Sequence, residues 1–220
     1  MREISLFHAS NPTGDMSPAD AVGVPFPPQT RADGEPERWY IAVVTHNTEK
    51  ACGKRLHDLF TVDGRSILDF EVYVPSQREL RVWRNGRRKQ IERILIPTYL
   101  FVRCTERVRK TLKQQAPFIK HFLKNRAGCP DEYGIYPFAY IPDAQMASLQ
   151  RMVGDAETPV TIDSSRLHAG VKVRVKGGRL SGFEGNVLHE PDGRTTIVIY
   201  INFLGCAKVE MPLELLELVE

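Results

Sequence analysis

The spacing of hydrophobic residues changes along the chain, and each spacing predicts an element. Residues 38–45 (RWYIAVVT) form a run of aromatic and β-branched residues that is typical of a buried strand. In residues 49–60 apolar side chains recur every three or four positions, which indicates an amphipathic helix capped by Asn47 or Thr48. The apolar residues within 67–74 predict a second strand.

Residues 78–93 predict a β-hairpin, because strand-forming segments flank Asn85-Gly86, the dipeptide that a type I′ turn favours. The following segments alternate between strand and helix patterns: a strand over 99–104, a helix after Thr105, a strand over 119–123 and a helix from Pro142-Asp143 to Gly154. The interleaving of strands and helices over residues 38–154 predicts one α/β sandwich domain.

The C-terminal residues 167–220 contain closely spaced strand patterns, which predict a small β-barrel and make the whole chain an α+β protein. The final segment, PLELLELVE, fits either a strand that closes the barrel or a helix. Residues 155–166 are polar and aperiodic and are predicted to be a linker. Residues 1–37 are rich in Pro, Gly, Ala and Asp, so we expect a disordered or loosely held acidic tail.

Four glycines lie in the stretch KGGRLSGFEGNV, residues 176–187. Their spacing is neither that of a phosphate-binding P-loop nor that of a dinucleotide site, and no helix pattern follows. The stretch separates two strand patterns, so we expect the glycines to provide positive φ in a tight loop and a bulge. The glycines therefore predict a turn of the C-terminal domain and not a nucleotide site.

Charge is distributed unevenly, although the net charge of the chain is only +3. Residues 38–160 carry 21 basic and 13 acidic side chains, a balance of +8. Residues 1–37 have a balance of −4 and residues 167–220 a balance of −1. The predicted sandwich domain is therefore the part that we expect to face a polyanion, and the predicted barrel is not.

The chemistry-bearing residues do not form catalytic or metal-binding patterns. The six histidines never occur at a metal-ligand spacing such as H-E-x-x-H, and the acidic residues suggest no acid–base pair, so we expect no enzyme and no cofactor. The four cysteines are scattered without a C-x-x-C pair, which fits reduced thiols and a cytoplasmic location. The apolar runs are too short to cross a bilayer, and the N-terminus shows no secretory-signal pattern.

The order of these motifs resembles the NusG family of transcription elongation factors over residues 38–220. RWYIAVV, EVYVPSQRE, the basic hairpin and ILIPTYLFVRC are similar to the family's N-terminal (NGN) domain, an antiparallel sheet flanked by helices. VKVRVKGGRLSGFEGNV resembles the KOW motif of its SH3-like C-terminal barrel. The tail before Arg38 and the segment RAGCPDEYGIYPF are more similar to specialised paralogues of the UpxY and RfaH type, antiterminators at polysaccharide operons.

The resemblance implies a noncatalytic, monomeric factor that binds RNA polymerase and suppresses pausing and premature termination. In the family, an apolar patch grips the clamp helices of the polymerase, at positions that match or border Val43, Ile96, Tyr99 and Phe101. A second contact, to the polymerase lobe opposite the clamp, falls near Arg109, Lys110 and Thr111. On sequence alone, the first set also fits an ordinary core face and the second a solvated helix face.

The predicted hairpin is the candidate nucleic-acid site. One tryptophan among clustered basic residues suits the DNA upstream of a polymerase or the displaced non-template strand, whereas a merely solvated hairpin would show the same charge. The candidate residues are Arg81, Trp83, Arg84, Arg87, Arg88 and Lys89.

The predicted barrel is nearly neutral, and in the family this domain recruits a second protein, such as a termination factor or a ribosomal protein. The candidate docking residues here are Phe183, Asn202, Phe203 and Leu204. Relatives often carry Arg where this chain has Cys206, so the partner need not be the same. The alternative is a ribosome- or RNA-associated KOW protein that acts without polymerase; it predicts RNA affinity centred on the barrel, and the charge balance there disfavours it.

Overall fold

The computed structural model of the chain describes residues 34–163, 170–189 and 193–219. Most of the predicted acidic tail, the end of the predicted linker and the first two residues of the predicted Pro191-Asp192-Gly193 turn lie outside the described residues.

Three helices and a series of short strands make up the described chain. The helices are α1 (Glu49–Leu59), α2 (Glu106–Gln115) and α3 (Asp143–Asp155). The strands before α3 are β1 (Arg38–Val43), β2 (Thr61–Val62), β3 (Arg65–Ser66), β4 (Glu71–Tyr73), β5 (Ser76–Val82), β6 (Arg88–Ile94), β7 (Tyr99–Cys104), β8 (His121–Phe122) and β9 (Tyr140–Ile141). The strands after α3 are β10 (Thr161–Asp163), β11 (Lys172–Val175), β12 (Glu184–His189), β13 (Thr195–Ile201), β14 (Gly205–Glu210) and β15 (Leu216–Leu218), the last preceded by a short 3-10 turn at Leu213–Leu215.

Strands β1 and β7 form the centre of the first sheet, which is antiparallel. They pair along their whole length, from Arg38 opposite Cys104 to Val43 opposite Tyr99. β4 pairs with the outer edge of β7, while β8 and β9 both pair with the other edge of β1. Strands β2 and β3 form a separate two-stranded ladder, and so do β5 and β6.

The side chains of β1 and β7 alternate between two cores, as the two-residue period of a strand requires. One set packs with residues of α1 and α2 in a first cluster; it comprises Tyr40, Ala42, Leu100, Val102 and Cys104. The other set packs with α3 in a second cluster; it comprises Trp39, Ile41 and Phe101. The first sheet is therefore buried on both faces, which explains why these strands are nearly continuous in hydrophobic residues.

The strands after α3 form a second antiparallel sheet of six strands in the order β10-β14-β13-β12-β11-β15. The glycine-rich stretch connects β11 to β12 as predicted, and Gly178 and Gly182 have φ of +76° and +77°. The amide of Gly182 donates to the carbonyl of Val175 at 2.7 Å, which closes the loop. The predicted positive φ in a tight turn is confirmed for Gly178 and Gly182, whereas Gly177 and Gly185 do not have positive φ.

Helix α3 lies between the two sheets and joins their apolar faces into one cluster. Met146, Leu149 and Met152 of α3 are fully buried and share this cluster with β1 of the first sheet and with Ile197 of β13. The helix contacts β1, β5 and β13. Because one helix face serves two sheets, the stability of both depends on the packing of α3.

The structure modifies several sequence expectations. The mixed class, with antiparallel sheets and three helices, is confirmed, but a closed barrel is not shown, because the ladder of the described strands ends at β10 and β15. β10 lies inside the segment predicted as a linker and pairs with β14. Within PLELLELVE, Leu213–Leu215 forms a 3-10 turn and Leu216–Leu218 a strand that pairs with β11, but this strand ends the ladder of described strands and does not close it. Helix α3 continues past the predicted stop at Gly154, to Asp155.

Replacing Leu149 by Ala is expected to destabilise the chain by about 3 kcal/mol, the transfer and cavity cost of a fully buried leucine. The measurement is the free energy of unfolding from chemical denaturation followed by circular dichroism. Leu59→Ala makes the same substitution at a leucine that is 44% exposed, and a cost below about 1 kcal/mol is expected there. Equal costs at the two positions would contradict the placement of α3 between the sheets.

Candidate functional site

Two of the four residues in the predicted apolar patch are accessible. Val43 and Tyr99 are direct cross-strand partners at the ends of β1 and β7, and both are half-buried. Phe101 is fully buried and Ile96 nearly so, because both lie in the cluster that α3 covers. The accessible part of the patch is therefore the Val43–Tyr99 pair, called the end pair below.

An uncharged aromatic pair lies two residues further along β7 from Tyr99. Tyr73 of β4 lies opposite Phe101, with their ring centroids 6.4 Å apart. Burial raises the pKa of the Tyr73 hydroxyl to about 12. This hydroxyl therefore remains neutral at physiological pH, and the aromatic pair does not change its charge.

The three residues of the second predicted polymerase contact all lie on helix α2, but they differ in exposure to solvent. The Thr105 hydroxyl caps the helix by accepting from the Val108 amide at 3.3 Å, as predicted. Lys110 is exposed and Thr111 is half-buried, with its hydroxyl donating to the Arg107 carbonyl. Arg109 is only 4% exposed. Of the three predicted residues, Lys110 is the accessible charge.

The guanidinium of Arg109 lies in a cage of three aromatic rings. Its central carbon is 3.4 Å from the ring centroid of Phe138, 5.3 Å from that of Phe122 and 5.7 Å from that of Tyr40. Its Nε and Nη2 atoms both donate to the carboxylate of Glu106. Stacking on rings and a two-point carboxylate contact are the geometries that suit a buried arginine. Sequence reasoning missed this structural role, because the three rings come from three separate segments.

In this cage the pKa of the Glu106 carboxyl group is lowered, whereas the pKa of the Tyr40 hydroxyl is raised. Burial alone would raise the pKa of Glu106, but the hydrogen bonds and the positive charge of Arg109 lower it below its ordinary value. Burial, followed by the nearby charge of Glu106, raises the pKa of Tyr40. At neutral pH, Glu106 is therefore ionised and Tyr40 is neutral, which keeps the pair with Arg109 intact.

The β5–β6 hairpin carries the predicted nucleic-acid residues, and all six are exposed. The pairing of Arg81 with Lys89 and of Val82 with Arg88 fixes its register. The guanidinium carbon of Arg81 lies 4.9 Å from the centroid of the Trp83 ring. By strand alternation, Arg81, Trp83, Arg87 and Lys89 share one face, called the Trp83 face below, whereas Arg88 lies on the opposite face.

The turn of this hairpin differs from the predicted type I′ turn. The amide of Trp83 donates to the carbonyl of Arg87 at 2.9 Å, so three residues, 84–86, form the loop. Among them only Gly86 has positive φ, at +77°. A type I′ turn needs positive φ at both central residues, and a three-residue loop with one glycine is the alternative.

The base of the hairpin is tied to the segment that follows α3. The Val160 amide donates to the Gln77 side-chain oxygen at 2.8 Å, and Arg93 donates to the Val160 carbonyl at 2.7 Å. Lys50 of α1 also forms an ion pair with Glu92. The basic tip therefore projects from an anchored base.

The residues predicted as docking sites in the C-terminal part are largely engaged by α3. Asn202 and Gln145 form two hydrogen bonds, of 2.8 and 3.1 Å. Phe183 is buried, with the Arg151 guanidinium 5.9 Å from its ring centroid, and Leu204 is buried in the cluster shared by both sheets. Phe203 is 45% exposed. It is the accessible aromatic residue of the predicted set.

Within residues 34–163, 170–189 and 193–219, no group of three or more His, Cys, Asp or Glu side chains is arranged to hold a metal ion. No described helix is long and apolar enough to cross a membrane.

One segment of the chain matches the model of a known protein family. Residues 37–133 match the family model described as transcription termination factor nusG, which confirms the resemblance to NusG for that segment. The solved structure "Domain interaction in Thermotoga maritima NusG" is similar, with 16% identity over 84% of this chain and 98% of that one, at a TM-score of 0.47. A search of curated proteins gives no significant match.

The pair of Glu106 and Arg109 predicts a specific pH dependence of stability. Because the folded-state pKa of Glu106 is lowered, the pair stabilises the chain above the unfolded pKa of about 4.3 and loses this contribution as the pH falls through the folded pKa. Glu106→Gln is expected to cost roughly 1 kcal/mol at pH 7. That difference from the original chain should shrink below about pH 4.

The measurement is the free energy of unfolding of both chains between pH 3 and pH 7, with denaturant. Glu132→Gln makes the same change at an exposed position, and its stability should follow that of the original chain throughout this range. A cost of Glu106→Gln that does not vary with pH would show that the carboxylate charge does not stabilise the Arg109 cage.

Proposed function

We propose that the chain is a noncatalytic, NusG-like transcription factor that binds RNA polymerase through its N-terminal domain. In this proposal it suppresses pausing and premature termination at specific operons of the polysaccharide type. The observation that carries the proposal is the match of residues 37–133 to the nusG family model. That segment contains the end pair, α2 and the basic hairpin.

The end pair is the proposed contact with the clamp helices of the polymerase. An aromatic residue beside a β-branched one, half-exposed at a sheet end, has the size and character of a binding hot spot. Lys110 and Thr111 on α2 are the proposed contacts with the opposing lobe, with Arg109 holding the helix in place from inside. Two contacts on separate elements suit a factor that bridges two parts of the polymerase and holds its clamp closed.

The Trp83 face of the hairpin is the proposed contact with upstream or non-template DNA. Trp83 offers a ring on which a base can stack, and Arg81, Arg87 and Lys89 supply the positive charge that phosphates attract. Arg84 at the tip and Arg88 on the other face add to the electrostatic field without sharing the stacking face.

The second sheet is proposed to be the KOW-like unit, with its glycine loop between β11 and β12. Its role would be to recruit a second protein, such as a ribosomal protein or a termination factor. Phe203 is the proposed contact with that partner, because its aromatic side chain is exposed. Tethering the partner to the polymerase-bound domain raises its local concentration.

The proposed mechanism is differential binding. A factor without catalytic groups changes polymerase behaviour only as far as it binds one state better than another. Preferential binding to the closed-clamp state would therefore lower the population of paused complexes in proportion to that preference.

Tyr99→Ala is expected to weaken polymerase binding by about tenfold, the effect of removing one aromatic hot-spot residue. Tyr133→Ala, at a tyrosine that is 79% exposed and outside the patch, is the matched control and should bind normally. Phe101→Ala is a poorer probe, because Phe101 is fully buried and its loss would unfold part of the core. The measurement is affinity for purified bacterial RNA polymerase, together with thermal stability.

The same variants are then compared by in vitro transcription, scored for pausing and read-through. The original chain and Tyr133→Ala should increase read-through, and Tyr99→Ala should not. Normal polymerase affinity for Tyr99→Ala would refute the end pair as the contact. No effect of the original chain on transcription, combined with RNA affinity in its C-terminal part, would favour the ribosome- or RNA-associated alternative.

The hairpin offers a matched pair of charge reversals. Arg87→Glu lies on the Trp83 face and Arg88→Glu on the other, so Arg87→Glu is expected to cause the larger loss of affinity for a single-stranded oligonucleotide. Its loss of a phosphate contact should also reduce the slope of log affinity against log salt by about 0.7. Both values come from fluorescence anisotropy across a salt series. Equal losses would show that general charge, and not the Trp83 face, attracts the nucleic acid.

A further inference from the structure

The turn between Pro97 and Tyr99 has a backbone conformation that its sequence disfavours. Thr98 has φ of +70°, in the left-handed region, which a β-branched residue rarely adopts. Such a conformation persists only where the surrounding contacts hold it. Because the turn leads directly into Tyr99, the first residue of β7, the contacts that hold Thr98 also decide where the Tyr99 ring emerges.

Glu49, the first residue of α1, supplies such a contact. Its Oε1 atom accepts a hydrogen bond from the Thr98 amide at 2.6 Å and another from the Asn47 amide at 3.2 Å. The Thr98 carbonyl accepts from the amide of Val44, directly after β1, at 2.9 Å. Both backbone polar groups of Thr98 are thereby fixed, one by α1 and the other by the end of β1.

The burial of Glu49 distinguishes it from an ordinary acidic residue in a first helical turn. An acid that only complements the helix dipole does so at the surface, whereas Glu49 is 0% exposed. Within the described part of the chain, its Oε2 atom has no hydrogen-bond partner, and burying a carboxylate in this way is costly. The helix dipole alone therefore does not explain why Glu49 is buried. Its hydrogen bonds with the Thr98 and Asn47 amides do.

We propose that Glu49 is a positioning residue for the end pair: it holds the Thr98 turn in the left-handed conformation and so fixes the backbone from which the Tyr99 side chain leaves the end of β7. The consequence for polymerase affinity rests on the proposed function. The hydrogen bond between the Thr98 amide and Glu49 does not depend on the proposed function, because it is present in the chain without a partner.

The first test is amide hydrogen exchange of the full chain by NMR, in the original sequence and in Glu49→Gln. Glutamine keeps the shape of the side chain but replaces a charged acceptor by a neutral one, which makes a weaker bond. The Thr98 amide should then exchange faster by about tenfold. The Val102 amide, within the same strand β7, is the control and should keep its rate. Unchanged Thr98 exchange would overturn the proposal, and so would an equal acceleration at Val102, which indicates general destabilisation.

The second test is rescue by glycine. Glu49→Ala is expected to weaken polymerase binding by about tenfold, through loss of the charged acceptor. Adding Thr98→Gly should restore most of the affinity, because glycine adopts positive φ without a steric penalty. If Glu49→Ala does not fold, the same comparison is made with Glu49→Gln, alone and with Thr98→Gly. A folded double variant that binds no better than its Glu49 parent would overturn the proposal.

The two tests separate this proposal from the function on which it builds. If the original chain does not bind polymerase, the proposed function fails, while the exchange rates still decide whether Glu49 holds the Thr98 turn. If the original chain binds and the exchange rates do not respond to Glu49→Gln, the function stands and the positioning role fails.

Discussion

The burial of β1 and β7 on both faces is the constraint on which the rest of the structure depends. Successive side chains of a strand point to opposite faces, so Tyr40 and Leu100 pack with α1 and α2 while Ile41 and Phe101 pack with α3. A shift of the pairing by one residue would exchange the two sets and leave neither core filled. The register that places Val43 opposite Tyr99 is therefore fixed by packing along the whole length of the pair.

This constraint also explains why the end pair is the accessible part of the predicted patch. The apolar face of β7 continues from Tyr99 to Phe101, but α3 covers it from Phe101 onward. A partner that grips this face meets Tyr99 and Val43 at the edge of an already closed core. Binding there needs no rearrangement of the core, which leaves more of the contact energy for affinity.

Local patterns in the sequence predicted the structural features that depend on residues close together in the chain. The hairpin followed from Asn85-Gly86, the cap of α2 from Thr105, and the loop after β11 from its glycines, since turns and caps are set by residues a few positions apart. The features that were missed depend on distant partners. β10 pairs with β14, which lies far along the chain, and Arg109 is buried among rings from three separate segments. Glu49 had one local signal, an acid at a helix start, but its contact with Thr98 spans 49 positions.

The positions of the charged side chains distinguish the proposed nucleic-acid contact from the proposed protein contact more clearly than the net charges of the two regions do. In the second sheet, basic side chains pair with acids of the same sheet: Lys172 and Arg174 with Glu184, and Lys208 with Asp163. Paired charges present little net field to a polyanion. The hairpin instead groups Arg81, Arg87 and Lys89 beside one ring on an exposed ribbon. Nucleic acid is therefore better matched to the hairpin, and a protein partner to the second sheet, where Phe203 supplies an exposed aromatic side chain without competing for phosphate.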